Sequence, residues 1–287
     1  MLRIAYVNGR YVGHTDATVH IEDRGYQFAD GVYEVCEVSR GYIVDMKRHL
    51  DRLDRSLREL QIDWPLHRSA LQIVVAEVVR RNRVRNGLVY LQVTRGVASR
   101  DFPFPSSGTR SCLVVTSKRL DPEASTARAE KGVAVLTVPE NRWERVDIKS
   151  TGLLPNVMAK QKAREAGAYE AWFVDTQGNV KEGASSNAWI VTKDGVLVTR
   201  PAESGILRGI TRTTLMEVAA RLGLKVEERG FSVDEAKQAR EAFITSATTV
   251  VMPVVSIDGQ PVANGHPGSL ALSLRHAFFD VAEKIPA

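Results

Sequence analysis

Lys149 has the most reactive side chain in a suggestive setting. It closes the run Val146–Asp147–Ile148–Lys149, and Ser150, Thr151, Gly152, Leu153, Leu154, Pro155 and Asn156 follow it. A lysine amine adds to carbonyl groups to form Schiff bases when it is partly desolvated and held in place. The alternation of Val146 and Ile148 predicts a strand over 143–149 with the lysine at its end, and a helix just beyond. Most lysines at strand ends are simply solvated charges, so the stretch gains meaning only from what else the chain supplies.

Four other stretches carry usable groups. Glu182 ends a predicted hairpin strand in Val180–Lys181–Glu182–Gly183–Ala184–Ser185–Ser186–Asn187. Buried, such a carboxylate can pair with a protonated ring nitrogen; exposed, it is a glutamate before a polar turn. In Gly205–Ile206–Leu207–Arg208–Gly209–Ile210–Thr211–Arg212, two glycines frame a turn. The helix that follows sets Leu215, Val218, Ala219 and Leu222 on one face. Its first N–H groups and its dipole suit a phosphate, and they equally suit an ordinary capped helix. His49 and Arg52, three apart, share a helix face, where the arginine can clamp a phosphate or pair at the surface with Asp51 or Asp54. The loop 94–104 carries Arg95, Arg100, Phe102 and Phe104, able to hold a carboxylate over an apolar wall.

These groups need elements to position them. Asn8–Gly9 between 3–7 and 10–13, and Arg40–Gly41 between 32–38 and 41–45, are hairpin signals. Leu50, Leu53, Leu57 and Leu60 predict a helix over 47–61, and Pro65 opens a second over 65–83. Strands are predicted at 87–94, 112–116, 133–138, 170–175 and 187–192, with turns at Gln177–Gly178 and Asp194–Gly195. Further helices are predicted at 156–166, 211–222, 233–239 and 268–284, and Ser232 and Glu235 have capping-box spacing. Residues 121–132 lack apolar periodicity and read as a linker between an N-terminal domain, 1–120, and a C-terminal cofactor-binding domain, 133–287. Strand-rich halves without regular strand–helix alternation give an α+β fold class.

Composition narrows the function classes. The chain has 287 residues, 25% charged, with a net charge of +5 spread over mixed-sign helices, so nucleic acid is not an expected partner. Arg80, Arg81, Arg83 and Arg85 form the densest basic cluster, read as a solvated helix end without stacking aromatics. Cys36 and Cys112 lie in apolar runs and read as buried free thiols. There is no signal-peptide pattern, membrane-length apolar run, metal-ligand spacing or nucleotide-binding glycine motif, so no membrane, no metal and a cytoplasmic location are the expectation.

Taken together, DIKS around Lys149, EGASSN around Glu182, LRGITR, the arginine of RHLDRL and the N-terminal EDRGYQFADGVYE resemble the class IV, or fold-type IV, pyridoxal-phosphate-dependent aminotransferases over nearly the whole chain. Within that family the motifs look most like those of the D-amino-acid transaminases. The resemblance implies a homodimer of two-domain α+β subunits, the N-terminal domain smaller and the C-terminal one barrel-like, with pyridoxal 5′-phosphate bound between them. It implies that Lys149 forms the Schiff base and shuttles the proton, and that Glu182 keeps the ring nitrogen protonated. Arg52, Thr248 and the backbone N–H groups of Ile210 and Thr211 would hold the phosphate, and Leu207 the ring face. Tyr33 and the partner subunit's Arg100 would bind the substrate carboxylate. The implied reaction moves the amino group of a D-alanine-like donor to pyruvate or 2-oxoglutarate. Branched-chain L-amino-acid transamination, (R)-amine transamination and aminodeoxychorismate lysis share the same lysine and stand as alternatives. The pattern departs at Phe102, where D-amino-acid transaminases carry a histidine, and at Ala184, where serine or glycine is common. Arg24 and Arg95 are candidates to compensate at the carboxylate.

Overall fold

Turn chemistry and alternation build the first of two units. A computed structural model describes residues 3–203 and 205–287; Met1 and Leu2 of the predicted first domain, and Ser204 of the second, lie outside the described residues. Unit one comprises residues up to Asp121, together with Ile148–Gly152 and Glu283–Ala287. Asn8 and Gly9 both take positive φ (44° and 94°), as a two-residue hairpin turn demands, and join β1 (Ile4–Val7) to β2 (Arg10–Gly13). A short helix that periodicity missed, α1 (Arg24–Phe28), is capped by Asp23, which accepts from the Gly25 N–H. Then come β3 (Gly31–Ser39), β4 (Tyr42–Val44), α2 (Met46–Glu59), α3 (Arg68–Arg81), β5 (Gly87–Thr94) and β6 (Cys112–Arg119). The chain's last strand, Lys284–Pro286, pairs with β4, so the sheet runs last strand–β4–β3–β5–β6–β1–β2, antiparallel throughout.

On β3 the buried face is Val32, Glu34, Cys36 and Val38, against which Leu50, Leu53 and Leu57 of α2 pack. Cys36 and Cys112 are buried free thiols, as expected. α3 begins at Arg68 and not at Pro65, because the His67 ring supplies the N-cap by accepting from the Ser69 N–H. At its far end Arg80 and Arg81 pair with Glu77, and Arg81 also lies 4.1 Å from the Tyr11 ring centroid, an aromatic neighbour distant in sequence.

The strand predicted over 143–149 does not form. Residues 144–147 are turn, and two alternating apolar residues suit a turn as well as a strand. Ile148–Gly152 instead docks beside the start of β3. The Tyr33 N–H donates to the Lys149 carbonyl (3.0 Å) and the Thr151 N–H to the Gly31 carbonyl (3.0 Å), with Ile148 buried in the core of the unit. Lys149 is therefore positioned by long-range backbone pairing.

Unit two comprises Pro122–Asp147 and Leu153–Ala282. The predicted linker is mostly helix, α4 (Pro122–Lys131), which buries only Ala129; one buried contact explains the missing periodicity. The unit continues with β7 (Val133–Pro139), α5 (Leu154–Glu165), β8 (Glu170–Val174), β9 (Val180–Gly183), β10 (Asn187–Val191), β11 (Leu197–Thr199), α6 (Ile210–Arg221), β12 (Val226–Glu228), α7 (Val233–Gln238), β13 (Glu241–Ser246), β14 (Val250–Ile257), β15 (Gln260–Pro261) and α8 (Ser269–Val281). α8 stops short of the predicted 284, where the last strand takes over. The sheet order is β12–β11–β10–β13–β14–β7–β8–β9, with β15 on β14, and the sheet curls as a half-barrel. Pairing is parallel at β7–β8, β7–β14 and β11–β12, and antiparallel elsewhere. Trp172, Phe231, Ile190 and Met252 lie in its core. Ser232 caps α7 by accepting from the Glu235 N–H (3.0 Å), but the Glu235 carboxylate turns to Arg229, leaving half of a capping box. The fold class is α+β.

Candidate active site

In unit one the site is organised by the two faces of β3. Successive side chains of a strand point oppositely, so Tyr33 and Glu34 face different environments. Tyr33 stacks on Tyr90 of β5, with ring centroids 5.6 Å apart. The half-buried Lys149 sets its Nζ 4.2 Å from the Tyr33 ring centroid, and its N–H donates to Ser56 Oγ of α2 (3.3 Å). The ring face of a tyrosine favours a nearby ammonium without neutralising it.

Behind β3, Glu34 is fully buried. His49 Nδ1 lies 2.7 Å from Glu34 Oε2, and Arg52 donates from Nε and Nη2 to the two carboxylate oxygens at 2.8 Å. Burial by itself raises the Glu34 carboxyl, but the Arg52 guanidinium and His49 overcome it and bring it down to about 2. Burial dominates at His49 and lowers its ring below the usual histidine value. Burial also opposes the Arg52 charge, and Glu34 more than compensates, so the guanidinium titrates above its ordinary range. Arg52 is thus held inward on Glu34, while Asp51 goes to Lys47 and Arg68. Glu34 was missed by local reasoning, yet it left a signal: a carboxylate on the apolar face of an alternating strand must have a buried partner.

The loop after β5 is tied down by two other arginines. Buried Arg24 donates from Nε to Asp30 (2.8 Å) and from Nη1 and Nη2 to the carbonyls of Asp101 (2.6 Å) and Phe102 (3.3 Å). Arg95 donates to both oxygens of Asp30 and to the carbonyls of Leu60 and Gln61. Both side chains are committed to the Asp30 carboxylate and to backbone carbonyls. Arg100 is exposed, lies 4.6 Å from the Phe28 ring centroid, and among the described residues pairs with no carboxylate. Phe102 is 82% exposed and lies 5.7 Å from Phe28.

In unit two, Glu182 of β9 is buried and held on several sides. Arg142 Nη1 donates to Oε1 (2.7 Å), Asn187 Nδ2 to Oε2 (3.1 Å), and the Leu207 N–H approaches both oxygens (3.3 and 3.2 Å). Burial pushes the Glu182 carboxyl up, and the Arg142 charge is the strongest influence pulling it back. Arg142 also holds Glu140, and its place in the loop before Lys149 gave no local clue to either contact. Asn187 donates as well to the Leu207 carbonyl (2.9 Å), tying Glu182 to the segment that leads into α6. A Cβ at Gly209 would stand 2.0 Å from Asn187 Oδ1, so that close approach requires glycine. α6 starts at Ile210 and Thr211 without a side-chain cap on its first turn. The hydroxyls of Ser185 and Ser186 are committed to Glu170 (2.7 and 3.0 Å). Thr248 is half-buried in the turn between β13 and β14.

The family model for amino-transferase class IV matches residues 31–257. D-alanine aminotransferase of Bacillus licheniformis is 42% identical over 270 residues, 94% of each chain. D-alanine aminotransferase of Listeria innocua serovar 6a is 38% identical over 275 residues, 96% of this chain and 94% of that one. The solved structure of the T.th. branched-chain amino acid aminotransferase with pyridoxamine 5′-phosphate superposes with a TM-score of 0.89 at 26% identity, covering 98% of this chain and 94% of that one. A family match across most of the sequence, with relatives alike along almost their whole length, leads to one conclusion: the chain belongs to the class IV aminotransferases.

Proposed function

We infer that this chain is a pyridoxal-phosphate-dependent transaminase that moves the amino group of a D-alanine-like donor to a 2-oxo acid. The observation that carries the D-amino-acid reading is its near-full-length similarity to D-alanine aminotransferases. The residues present fit the cofactor. Glu182 is a buried carboxylate already supplied with an arginine, and α6 opens on a turn that no side chain caps.

Bound pyridoxal phosphate supplies an aldehyde carbon for the lysine amine and a ring that accepts electron density from the substrate α-carbon. Lys149 Nζ is the attachment point and the base, moving a proton between the substrate α-carbon and the cofactor's aldehyde carbon. Its backbone pairing to β3 and its half-burial serve that role by limiting where the amine can go. Glu182 holds the proton on the ring nitrogen, with Arg142 favouring the carboxylate form. The N–H groups of Ile210 and Thr211, the Thr248 hydroxyl and the Arg52 guanidinium bind the phosphate, and Leu207 supports the ring. Tyr33 and the partner subunit's Arg100 bind the substrate carboxylate. With Arg24 and Arg95 committed to backbone, that task falls on Arg100, and Phe102 adds an apolar surface where a histidine is common.

A donor screen tests the reading. D-alanine is expected to exceed L-leucine in kcat/KM by about 100-fold or more, the discrimination available to a site that pairs polar substrate groups. The branched-chain L-amino-acid alternative has the fold likeness in its favour, and a preference for L-leucine would replace the D reading with it.

The reading extends to a homodimer. Leu154, Val157 and Met158 are 69%, 60% and 62% exposed on one face of α5, an apolar stripe that a second copy can cover. Light scattering is expected to give twice the chain mass, and a monomer at micromolar concentration would remove this part. A cytoplasmic location is included, supported by the two buried free thiols; fractionation into an oxidising compartment would contradict it.

A further inference from the structure

The turn that carries Thr248 is built against its own backbone preference. Ser246 of β13 pairs with Val250 of β14, so residues 247–249 form a short hairpin loop. Short hairpin loops often close on a residue in the left-handed region, a place glycine or asparagine fills at little cost. Here that residue is Val250, at φ 57°. A β-branched side chain is poorly suited to this conformation, because its Cβ crowds the adjacent carbonyl. Val250 is also buried, so its side chain cannot swing free.

One side chain grips both flanks of the strained residue. Arg275 of α8 donates from Nη1 to the carbonyls of Thr249 and Val251, the latter at 2.8 Å. Its Nη2 donates to Ser125 Oγ of α4 (2.9 Å). Within the turn, Ser246 Oγ and Thr249 Oγ1 are 2.7 Å apart, and the Thr249 N–H approaches Ser246 Oγ at 3.3 Å. Two helices and the carbonyls of the residues on either side of Val250 are thereby joined through one planar guanidinium. Backbone strain of this kind persists where the surroundings over-determine it, and it concentrates at functional sites.

We propose that Arg275 is a positioning residue for cofactor binding. By clamping the carbonyls on either side of Val250, it holds the 247–249 loop in the conformation that presents Thr248 to the cofactor phosphate. The inference rests on the assignment of Thr248 made above. Lysine is a partial substitute, since a single ammonium lacks the fixed fork that reaches two carbonyls and Ser125 together.

The test uses the full-length holoenzyme, diluted into cofactor-free buffer, with release followed by loss of the visible absorbance and with melting temperatures measured alongside. Thr248→Ala is expected to speed release about 10-fold, the scale of one lost charge-assisted hydrogen bond. Arg275→Met is expected to do the same, and the double variant to release no faster than either single one, because both changes remove the same contact. Arg275→Lys should fall between wild type and Arg275→Met; if Arg275→Met does not fold, Arg275→Lys carries the comparison. Wild-type release with a lowered melting temperature in the Arg275 variants would make the arginine merely structural and overturn the proposal. Multiplicative effects in the double variant would overturn it too. Wild-type release from Thr248→Ala would defeat the Thr248 assignment and the proposal together, and the single threonine variant identifies that case.

Discussion

Lys149→Ala is expected to lose amino transfer almost completely, with kcat reduced by about 10²–10⁴-fold or more, the range a positioned acid–base group contributes. The fold should survive. The segment is held by backbone groups, the Tyr33 N–H to the Lys149 carbonyl and the Lys149 N–H to Ser56, neither of which needs the side chain. The half-buried amine makes its contact with the Tyr33 ring, a contact worth on the order of 1 kcal/mol at a partly exposed site. The melting temperature should therefore stay close to that of the wild type. The chemical counterpart is a yellow protein whose chromophore borohydride fixes to the wild type and not to the variant. An alanine variant that keeps full activity would end the lysine mechanism, whatever the substrate.

The largest stability effect is expected at Glu34. Glu34→Ala leaves Arg52 and the imidazole of His49 buried without the carboxylate that both face. Removing one partner of a buried ion pair costs about 3–5 kcal/mol, and in a chain of this size that lowers the melting temperature by about 10 °C. Glu34 also sets an acid limit. Its carboxyl titrates at about 2 in the folded chain against an ordinary 4.5, so its contribution is whole above 4.5 and is lost as pH falls toward 2. His49 adds to the decline from higher pH. Burial keeps its folded value below 6.5, so the unfolded chain takes up that proton first as pH falls, and stability drops with it. Urea unfolding at stepped pH should show both components in the wild type and lose the lower one in Glu34→Ala. A variant as stable as wild type, with an unchanged acid profile, would mean the cluster is not the keystone of this unit.

Much of the fold was legible because its signals are local. Asn8–Gly9, Arg40–Gly41 and the leucine spacing of α2 act within a few residues, and each produced the expected hairpin or helix. Strand β5 alternates so regularly that its limits, Gly87 and Thr94, were predicted to the residue. α4 and α1 were missed because neither has an apolar stripe: one buries a single alanine, and the other is a five-residue turn fixed by an aspartate cap. The strand expected over 143–149 failed for the opposite reason, since an apolar alternation was present but served to seat Ile148 in a distant core.

By itself the sequence determined which residue types are present, in an order that resembles class IV aminotransferases, and so on which lysine and which glutamate the proposed chemistry rests. Tertiary structure decided what surrounds them. Glu182 meets Arg142 forty residues away, Asn187 joins that carboxylate to the approach to α6, and Arg52 turns inward to Glu34 when its near neighbours Asp51 and Asp54 were available. The reason is physical. Capping, turn formation and amphipathic spacing depend on neighbours in the chain, whereas the partner of a buried charge is chosen by which elements pack together, and a single sequence does not encode that at any fixed spacing.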